Sequence, residues 1–315
     1  MPAFNVEPYV GDAIRSALAQ TFTDFELIVV DDGSKDGTAE VIRGLAAQDD
    51  RVRFVQQGNR GISGARNTAL RAARGEFFAL LDSDDIWQPE FLAEQLAILD
   101  AHPEVDIVTG NGWYLGGAQH GQLARPYPDP RPQPVLASII GDEWAVFIMS
   151  VFRRHVYTAI GAFDERQRSN EDYDFWLRAA LAGFTFLRND RPLGYYRDRI
   201  DSVSASNVRM LRGILQVYAK LRPEIAGRER EMQILQQQIS RFEPELLAAE
   251  VRLALEIADF QAAQEYLGAL HARKGGASLR LAHFLSRWAP NMLKRALRLR
   301  RPKVPARVSA DVHVR

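Results

Sequence analysis

The apolar positions of the first 110 residues switch between two periods at regular intervals. In "EPYVGDAIRSALAQ", Val10, Ile14, Ala17 and Leu18 share one helical face. "FELIVV" (25–30) is instead a short continuous apolar run, a buried strand ending at Asp31-Asp32-Gly33. "TAEVIRGLAAQ" predicts a helix, "RVRFVQQ" a strand, and "SGARNTALRAARG" a helix capped by Ser63 and closed by Gly75. "EFFALL" reads as a strand, "PEFLAEQLAILDAH" as a helix with Pro89 in its first turn, and "VDIVTG" as a further strand. Such alternation predicts a mixed, mainly parallel sheet with helices on both faces, an α/β fold that gathers ligands at the carboxyl ends of its strands.

The rhythm then changes. Residues 113–135 are rich in Gly and Pro and predict a loop; "EWAVFIMSVFRR" resumes a strand pattern. "NEDYDFWLRAALAG" predicts a helix starting near Glu171, with Phe175, Trp176, Ala179 and Ala180 inward. After "YYRDRIDSVSAS" the strand signals stop, and residues 207–301 read as five helical segments, one pair of them similar to a single tetratricopeptide unit. The expected division is an α/β domain over 1–204, a helical extension over 205–276 and a basic amphipathic tail over 277–315.

Net charge is zero but unevenly spread. Residues 1–204 hold 20 Lys+Arg against 30 Asp+Glu, residues 205–270 hold 8 against 9, and residues 271–315 hold 12 against 1. An acidic front and a basic end point to different roles. The chain has no cysteine, which removes disulfides and thiolate metal sites and fits a reducing, cytoplasmic setting. The N-terminus lacks the pattern of a signal peptide, and no apolar run reaches the ~18 residues of a membrane span.

"FFALLDSDDIWQPEF" poses the chemical question, because a buried strand ends in Asp82, Asp84 and Asp85. Two carboxylates about 4 Å apart repel by roughly 4 kcal/mol at an effective dielectric near 20. A hard cation such as Mg²⁺ or Mn²⁺ bridging them to a diphosphate would relieve that repulsion. So would an open, solvated loop with Asp85 capping the next helix. Asp31-Asp32-Gly33-Ser34 repeats the arrangement at another strand end, where an acidic turn is also ordinary. Arg66, on the first turn of a helix, can face an anion or plain solvent. Glu171-Asp172 opens a helix, either as a general base or as simple N-terminal charge.

Taken in order, five stretches resemble the family 2 glycosyltransferases of the GT-A fold over residues 2–204. They are "PAFNVEPYVGDAIRSALAQTFTDFELIVVDDGSKDGT", "GISGARNTAL", "GEFFALLDSDDIWQPEFL", "GAFDE" and "NEDYDFWLR". The resemblance implies an inverting sugar transfer from a nucleotide-diphosphate donor, foremost a UDP-sugar, to a hydroxyl of a glycan or lipid-linked acceptor in cell-surface polysaccharide synthesis. It implies that Phe4, with Asn5 in the same turn, meets the donor base, that Asp32 accepts its imide hydrogen, and that Arg66 approaches the base or phosphates. Asp82 would lie near the ribose or sugar, and Asp84 would hold Mn²⁺ or Mg²⁺ on the diphosphate. Asp172 would take the acceptor proton, supported by Glu171. Trp176 would pack beside the acceptor or, more simply, in the core.

Two departures from the family pattern carry consequences. Relatives have a hydrophobic strand just before the "PAFN"-like turn, and Met1 stands in its place here. The expectation is an interrupted sheet, with a natural start upstream or a poorly stable chain. The family also often shows a Tyr-Arg-x-His run, where this chain has "YYRDRIDS" with Arg199 at the His position. Arginine pairs with phosphate but does not ligate metal as imidazole does, so Arg197 and Arg199 are candidate donor-binding charges with weaker metal dependence.

In the tail, Leu281, Phe284, Leu285, Trp288, Met292, Leu293 and Ala296 form an apolar stripe, interrupted at Pro290. Arg280, Arg287, Asn291, Lys294, Arg295 and Arg298 lie largely opposite. That pattern suits either an anionic membrane surface, met through 277–303 from the cytoplasmic side, or a docked helix with a solvated basic face. Nucleic-acid binding is not expected, because no recognition module accompanies the charge. Two other functional readings remain: a D-x-D phosphatase, and a catalytically impaired relative that acts as a scaffold in glycan assembly.

Overall fold

The computed structural model describes residues 1–131, 133–199 and 207–298. The chain forms two compact units that divide between residues 200 and 201. The first unit begins with β1 (Pro2–Ala3), α1 (Glu7–Leu18), β2 (Leu27–Asp31), α2 (Thr38–Ala46), β3 (Val52–Gln56), α3 (Gly61–Ala72) and β4 (Phe77–Ala79). It continues through β5 (Ile86–Trp87), α4 (Phe91–Ala101), β6 (Ile107–Leu115), α5 (Leu136–Gly141), β7 (Ser150–Arg153), α6 (Arg154–Ile160), α7 (Glu171–Leu181) and β8 (Phe186–Arg197). The second unit holds α8 (Asn207–Glu224), α9 (Glu229–Glu256), α10 (Phe260–Lys274), α11 (Ala277–Trp288) and α12 (Pro290–Arg298).

Strand β2 is buried along its whole length, as a continuous apolar run flanked by other elements requires. It lies between β1 and β3 in a parallel sheet. Its Ile28 and Val30 pack with Ala65 of α3, which covers this sheet. A second sheet has the order β4-β7-β6-β8-β5; β6 and β8 are parallel and the other pairings antiparallel. Both acidic turns follow the carboxyl ends of strands, one at the end of β2 and one after the buried Leu80-Leu81 that continue from β4.

Several elements differ from the sequence expectation for local reasons. Helix α3 begins two residues before Ser63, whose hydroxyl donates to the Gln167 carbonyl at 3.2 Å, so Ser63 holds a distant loop rather than a cap. Pro89 precedes α4 instead of opening it. Only Ser150–Arg153 of the "EWAVFIMSVFRR" stretch is strand, although Ala145 to Met149 are all buried. In the helical unit, two expected helices are one, α9, which runs through Pro244. Burial of Phe242, Ala249, Val251, Ala254 and Leu255 beside that proline offsets the lost backbone bond, which costs about 3 kcal/mol.

The first strand is rudimentary rather than replaced by Met1. Pro2 and Ala3 stand in register with Val30 and Asp31. The Met1 nitrogen donates to the Ile28 carbonyl at 2.9 Å, and the Met1 carbonyl accepts from the Val30 amide at 2.9 Å. Burial, followed by the positive charge of Arg66, pushes the Met1 amine down to about 5. Beyond it, β2 and β4 border a cavity of about 610 Å³ lined by Leu27, Ile28, Phe77, Phe78, Ala79 and Leu80, among others. Phe78 pairs with Phe152, and the Leu80 amide donates to Ser150 at 3.1 Å. By strand alternation, the backbone groups of Phe77 and Ala79 therefore face the cavity, where no strand among the described residues pairs with them.

Unpaired ladder groups and unfilled space beside apolar strand side chains both destabilise. An engineered extension of five β-branched apolar residues in front of Met1 should fill the cavity with at least two side chains. That contributes about 3 kcal/mol, or roughly 6–12 °C in Tm for a unit of this size. Thermal unfolding of the extended and unextended chains checks this, and equal Tm values would contradict it.

Candidate active site

The turn after β2 folds back onto the start of α3. Gly33 makes this possible with a φ of 79°; a Cβ there would come within 3.1 Å of the Asn59 nitrogen. Asp32, buried at this turn, accepts through Oδ1 from Gln57 Nε2 at 2.7 Å and from the Arg60 amide at 2.9 Å. Its Oδ2 accepts from the Gly61 amide at 2.8 Å. The carboxylate thus meets the positive end of α3. Nearby, the Asn5 side chain accepts from the Lys35 amide at 2.8 Å, and its own amide donates to Ser34 Oγ at 3.0 Å. These bonds fasten the Pro2–Asn5 turn to the turn after β2. Phe4, the residue between, is exposed.

Arg66 lies five residues into α3, about 7.5 Å along the axis from the amide that Asp32 meets. Its side chain is 3 % exposed, and it donates to Asp82 Oδ1 at 2.6 Å and to the Glu171 carboxylate. Its guanidinium carbon lies 5.5 Å from the centre of the Phe163 ring. One cation therefore joins the acid that closes β4 to the acid that opens α7. Burial works against its charge, but Asp82, Glu171 and Asp172 outweigh that and hold its pKa above the ordinary arginine value.

The acids respond to the same burial. Glu171 is pushed up to about 7 by burial, with Arg66 opposing and Asp172 adding to the rise. Burial likewise raises Asp172, against Arg66 and a 2.9 Å hydrogen bond from the Tyr173 amide. The two titrate as one interacting pair.

A second cationic cluster holds Asp84. Arg199 donates to Asp84 Oδ2 at 3.0 Å, and Arg197 Nε donates to the Asp84 carbonyl at 2.7 Å. The Arg197 amide donates to Asp85 Oδ1 at 2.8 Å. Both guanidiniums stack on Tyr9 of α1, at 4.9 and 4.5 Å from its ring centre. Burial and then Asp82 raise Asp84, while Arg199 draws it back. Asp85 is buried and pushed well above the carboxylate range, first by burial and then by Asp84. It does not cap the following helix.

The structure therefore joins Arg66, Asp82 and Glu171 directly, with Asp172 in their field, and joins Asp84 to Arg197 and Arg199. Asp32, with Phe4 and Asn5 near it, stands at the N-terminal end of the same helix α3, about a turn and a half before Arg66. Trp176 is a core residue, packed edge-on against Phe152 at 5.7 Å. Sequence reasoning missed Tyr9 and Gln57, which no spacing marks. It also gave no role to "GAFDE", which clamps α3: Asn67 exchanges hydrogen bonds of 2.9 Å with the Phe163 backbone, and Glu165 pairs with Arg60 at 2.8 Å.

The sequence pattern described as "Glycosyl transferase family 2" matches residues 1–161, half of the chain. The chain belongs to glycosyl transferase family 2. It is 31% identical over 214 residues to the uncharacterized glycosyltransferase EpsJ of Bacillus subtilis, covering 65% of this chain and 61% of EpsJ. It is 44% identical over 90 residues to the chondroitin synthase of Escherichia coli, covering 29% of this chain and 13% of that enzyme. The chain spans about three fifths of the length of EpsJ. Among solved structures, S. aureus TarS 1–349 in complex with UDP-GlcNAc is similar with a TM-score of 0.62 at 20% identity, covering 95% of this chain and 90% of that one. The mannosyltransferase PcManGT of Pyrobaculum calidifontis, in complex with GDP-Man and Mn²⁺, gives 0.57 at 20% identity, covering 95% and 85%. These likenesses establish the glycosyltransferase fold of the GT-A type.

The family 2 site also bears on the metal. Among the described residues no group of three or more His, Asp or Glu side chains is arranged to cage an ion. Asp84 and Asp82 keep about a fifth of their side-chain surface exposed, and one oxygen of buried Asp85 has no hydrogen-bond partner. That set fits a Mg²⁺ or Mn²⁺ ion held by one or two carboxylates, with substrate phosphates and water completing its shell.

Arg66→Met leaves Asp82, Glu171 and Asp172 without their shared cation, and breaking a buried pair in this way costs about 3–5 kcal/mol. Without Arg66 opposing burial, Glu171 and Asp172 then have folded pKa values further above their unfolded ones. The variant should approach wild-type stability near pH 4 and lose it as pH rises through neutrality. Urea unfolding at pH 5 and pH 8 checks the sign; a loss of equal size at both would contradict it.

Proposed function

We propose that this chain is an inverting glycosyltransferase that moves a sugar from a nucleotide-diphosphate donor, foremost a UDP-sugar, to a hydroxyl of a glycan or lipid-linked acceptor. Cell-surface polysaccharide synthesis at the cytoplasmic face of the membrane is the setting that suits such acceptors. The observation that carries the reading is the shared pairing of Arg66 with Asp82 and Glu171, which links the acid after a strand to the acids of a helix start through one cation. Family membership supports it, as do the sugar nucleotides bound by TarS and PcManGT.

In this reading Phe4 stacks on the donor base, and Asp32, with three of its roughly four acceptor positions filled, keeps one for a base N–H. Asn5 fixes the turn that presents Phe4. Asp82, pinned by Arg66, faces the ribose or sugar. Asp84 would hold a divalent ion, which when bound would stabilise the charge that gathers on the leaving diphosphate. Arg197 and Arg199 pair with the phosphates once the donor draws Arg199 from Asp84. Asp172 takes the proton from the acceptor hydroxyl as its oxygen attacks the anomeric carbon from the side opposite the leaving group. Glu171 supports Asp172 by holding Arg66 in place.

The contact of Arg199 with Asp84 favours a second reading, a relative whose own cation occupies the metal position and which serves as a scaffold in glycan assembly. Donor-dependent release of free nucleotide separates the two. A panel of nucleotide sugars with Mn²⁺ or Mg²⁺ should give release with one donor, and its absence with every donor would favour the scaffold. Asp172→Asn should lower kcat by ~10²–10⁴-fold with little change in donor KM. Asp84→Ala should abolish the response to added metal.

A base acts only when ionised, and burial raises both Asp172 and Glu171. The rate should therefore climb with pH through a limb set above the ordinary carboxylate range. A kcat/KM profile already flat above pH 5 would overturn the assignment of this pair.

A further inference from the structure

The helical unit ends in a face that its own packing does not cover. Helices α11 and α12 dock on α9 and α10 through Ala282, Leu285 and Leu293, which join the core formed by Val251, Leu255, Ala263 and Leu267. Lys294 secures the contact by donating to the Glu256 carbonyl at 3.1 Å. The stripe expected from the sequence therefore splits in two. Its other large members, Leu281, Phe284, Trp288 and Met292, are 58–68% exposed.

Spacings of three and four residues put Leu281, Phe284 and Trp288 on one side of α11, and Met292 follows the break at Ala289. The rings of Phe284 and Trp288 lie 6.4 Å apart. Together the four side chains show on the order of 400 Å² of apolar surface, the size at which a patch usually has a use. Arg280, Arg287 and Arg295 are exposed on the same two helices, and the Arg287 guanidinium lies 5.6 Å from the Trp288 ring centre. Arg298 and the residues beyond it contribute no described side chain.

We propose that this face is a docking surface for an anionic phospholipid bilayer, with the four apolar side chains entering the headgroup boundary and the arginines meeting lipid phosphates. Charge decides between occupants. Residues 271–315 carry 12 basic side chains against 1 acidic, so a second copy of the same face would bring arginine against arginine, whereas an anionic lipid surface opposes them with the complementary sign. Among the described residues no helix is long and apolar enough to cross a membrane, so the contact is with the surface. Tryptophan beside arginine suits that depth, where one side of the ring is apolar and the other wet.

The test is co-sedimentation of the full chain with vesicles of phosphatidylcholine alone or with 30 % phosphatidylglycerol added, without any sugar donor. Binding is expected to the anionic vesicles, much less to the neutral ones, and to weaken in 0.5 M NaCl. R280Q/R287Q should weaken it roughly 25-fold, at about five-fold per arginine. F284S/W288S should weaken it at least as much while leaving donor-dependent nucleotide release unchanged. Equal sedimentation with and without anionic vesicles overturns the proposal, as does wild-type affinity in both variants. A dimer in gel filtration that F284S/W288S dissolves also overturns it, by giving the face to a second copy. Vesicle binding is read apart from transfer, so its failure leaves the catalytic reading where it stood.

Discussion

Three carboxylates that approach one another inside a protein need a cation, and Arg66 supplies it. Burying either Asp82 or Glu171 alone would expel its charge, since an unpaired ion in the interior costs several kcal/mol. With the guanidinium between them, both acids are held within hydrogen-bond reach of one group that is itself 3 % exposed. The pairing ties helix α3 to the turn that follows β4, 16 positions on, and to the first turn of α7, 105 positions on. The placement of Asp172 follows, because it is the next residue on that turn.

The same pairing divides the electrostatics of the site. Around Arg66 one cation faces three acids, and burial is the leading influence on Glu171 and Asp172, moving them toward neutrality. Around Asp84 the opposing charge is Arg199, a side chain that a phosphate group could compete for. Tyr9 keeps both arginines of that cluster near Asp84 by offering its ring face to each.

The support of the site comes from side-chain clamps as much as from the sheet. The β1–β2–β3 sheet and the five-stranded sheet do not share a ladder among the described residues, and a cavity lies between β2 and β4. Across that gap the contacts of Arg66 with Asp82, of Asn67 with Phe163 and of Arg60 with Glu165 do the joining. The "GAFDE" stretch thereby braces α3, and α3 carries both the amides that meet Asp32 and the guanidinium that meets Asp82.

Period and punctuation along the chain determined most of the elements. The apolar run of β2, the helical faces of α1 and α7, and the acids at two strand ends follow from local stereochemistry, and any fold of these segments would show them. Five motifs in order were enough to point to the family. Local pattern could not determine which carboxylate meets which cation, because the partners of Arg66 lie 16 and 105 positions away. Nor could it show that Ser63 would bond a distant carbonyl, that burial would carry α9 across Pro244, or that the tail's apolar stripe would divide into a docked half and an exposed half. Those outcomes depend on long-range packing, which sets the neighbours of each polar group and thereby its charge, its partner and its use.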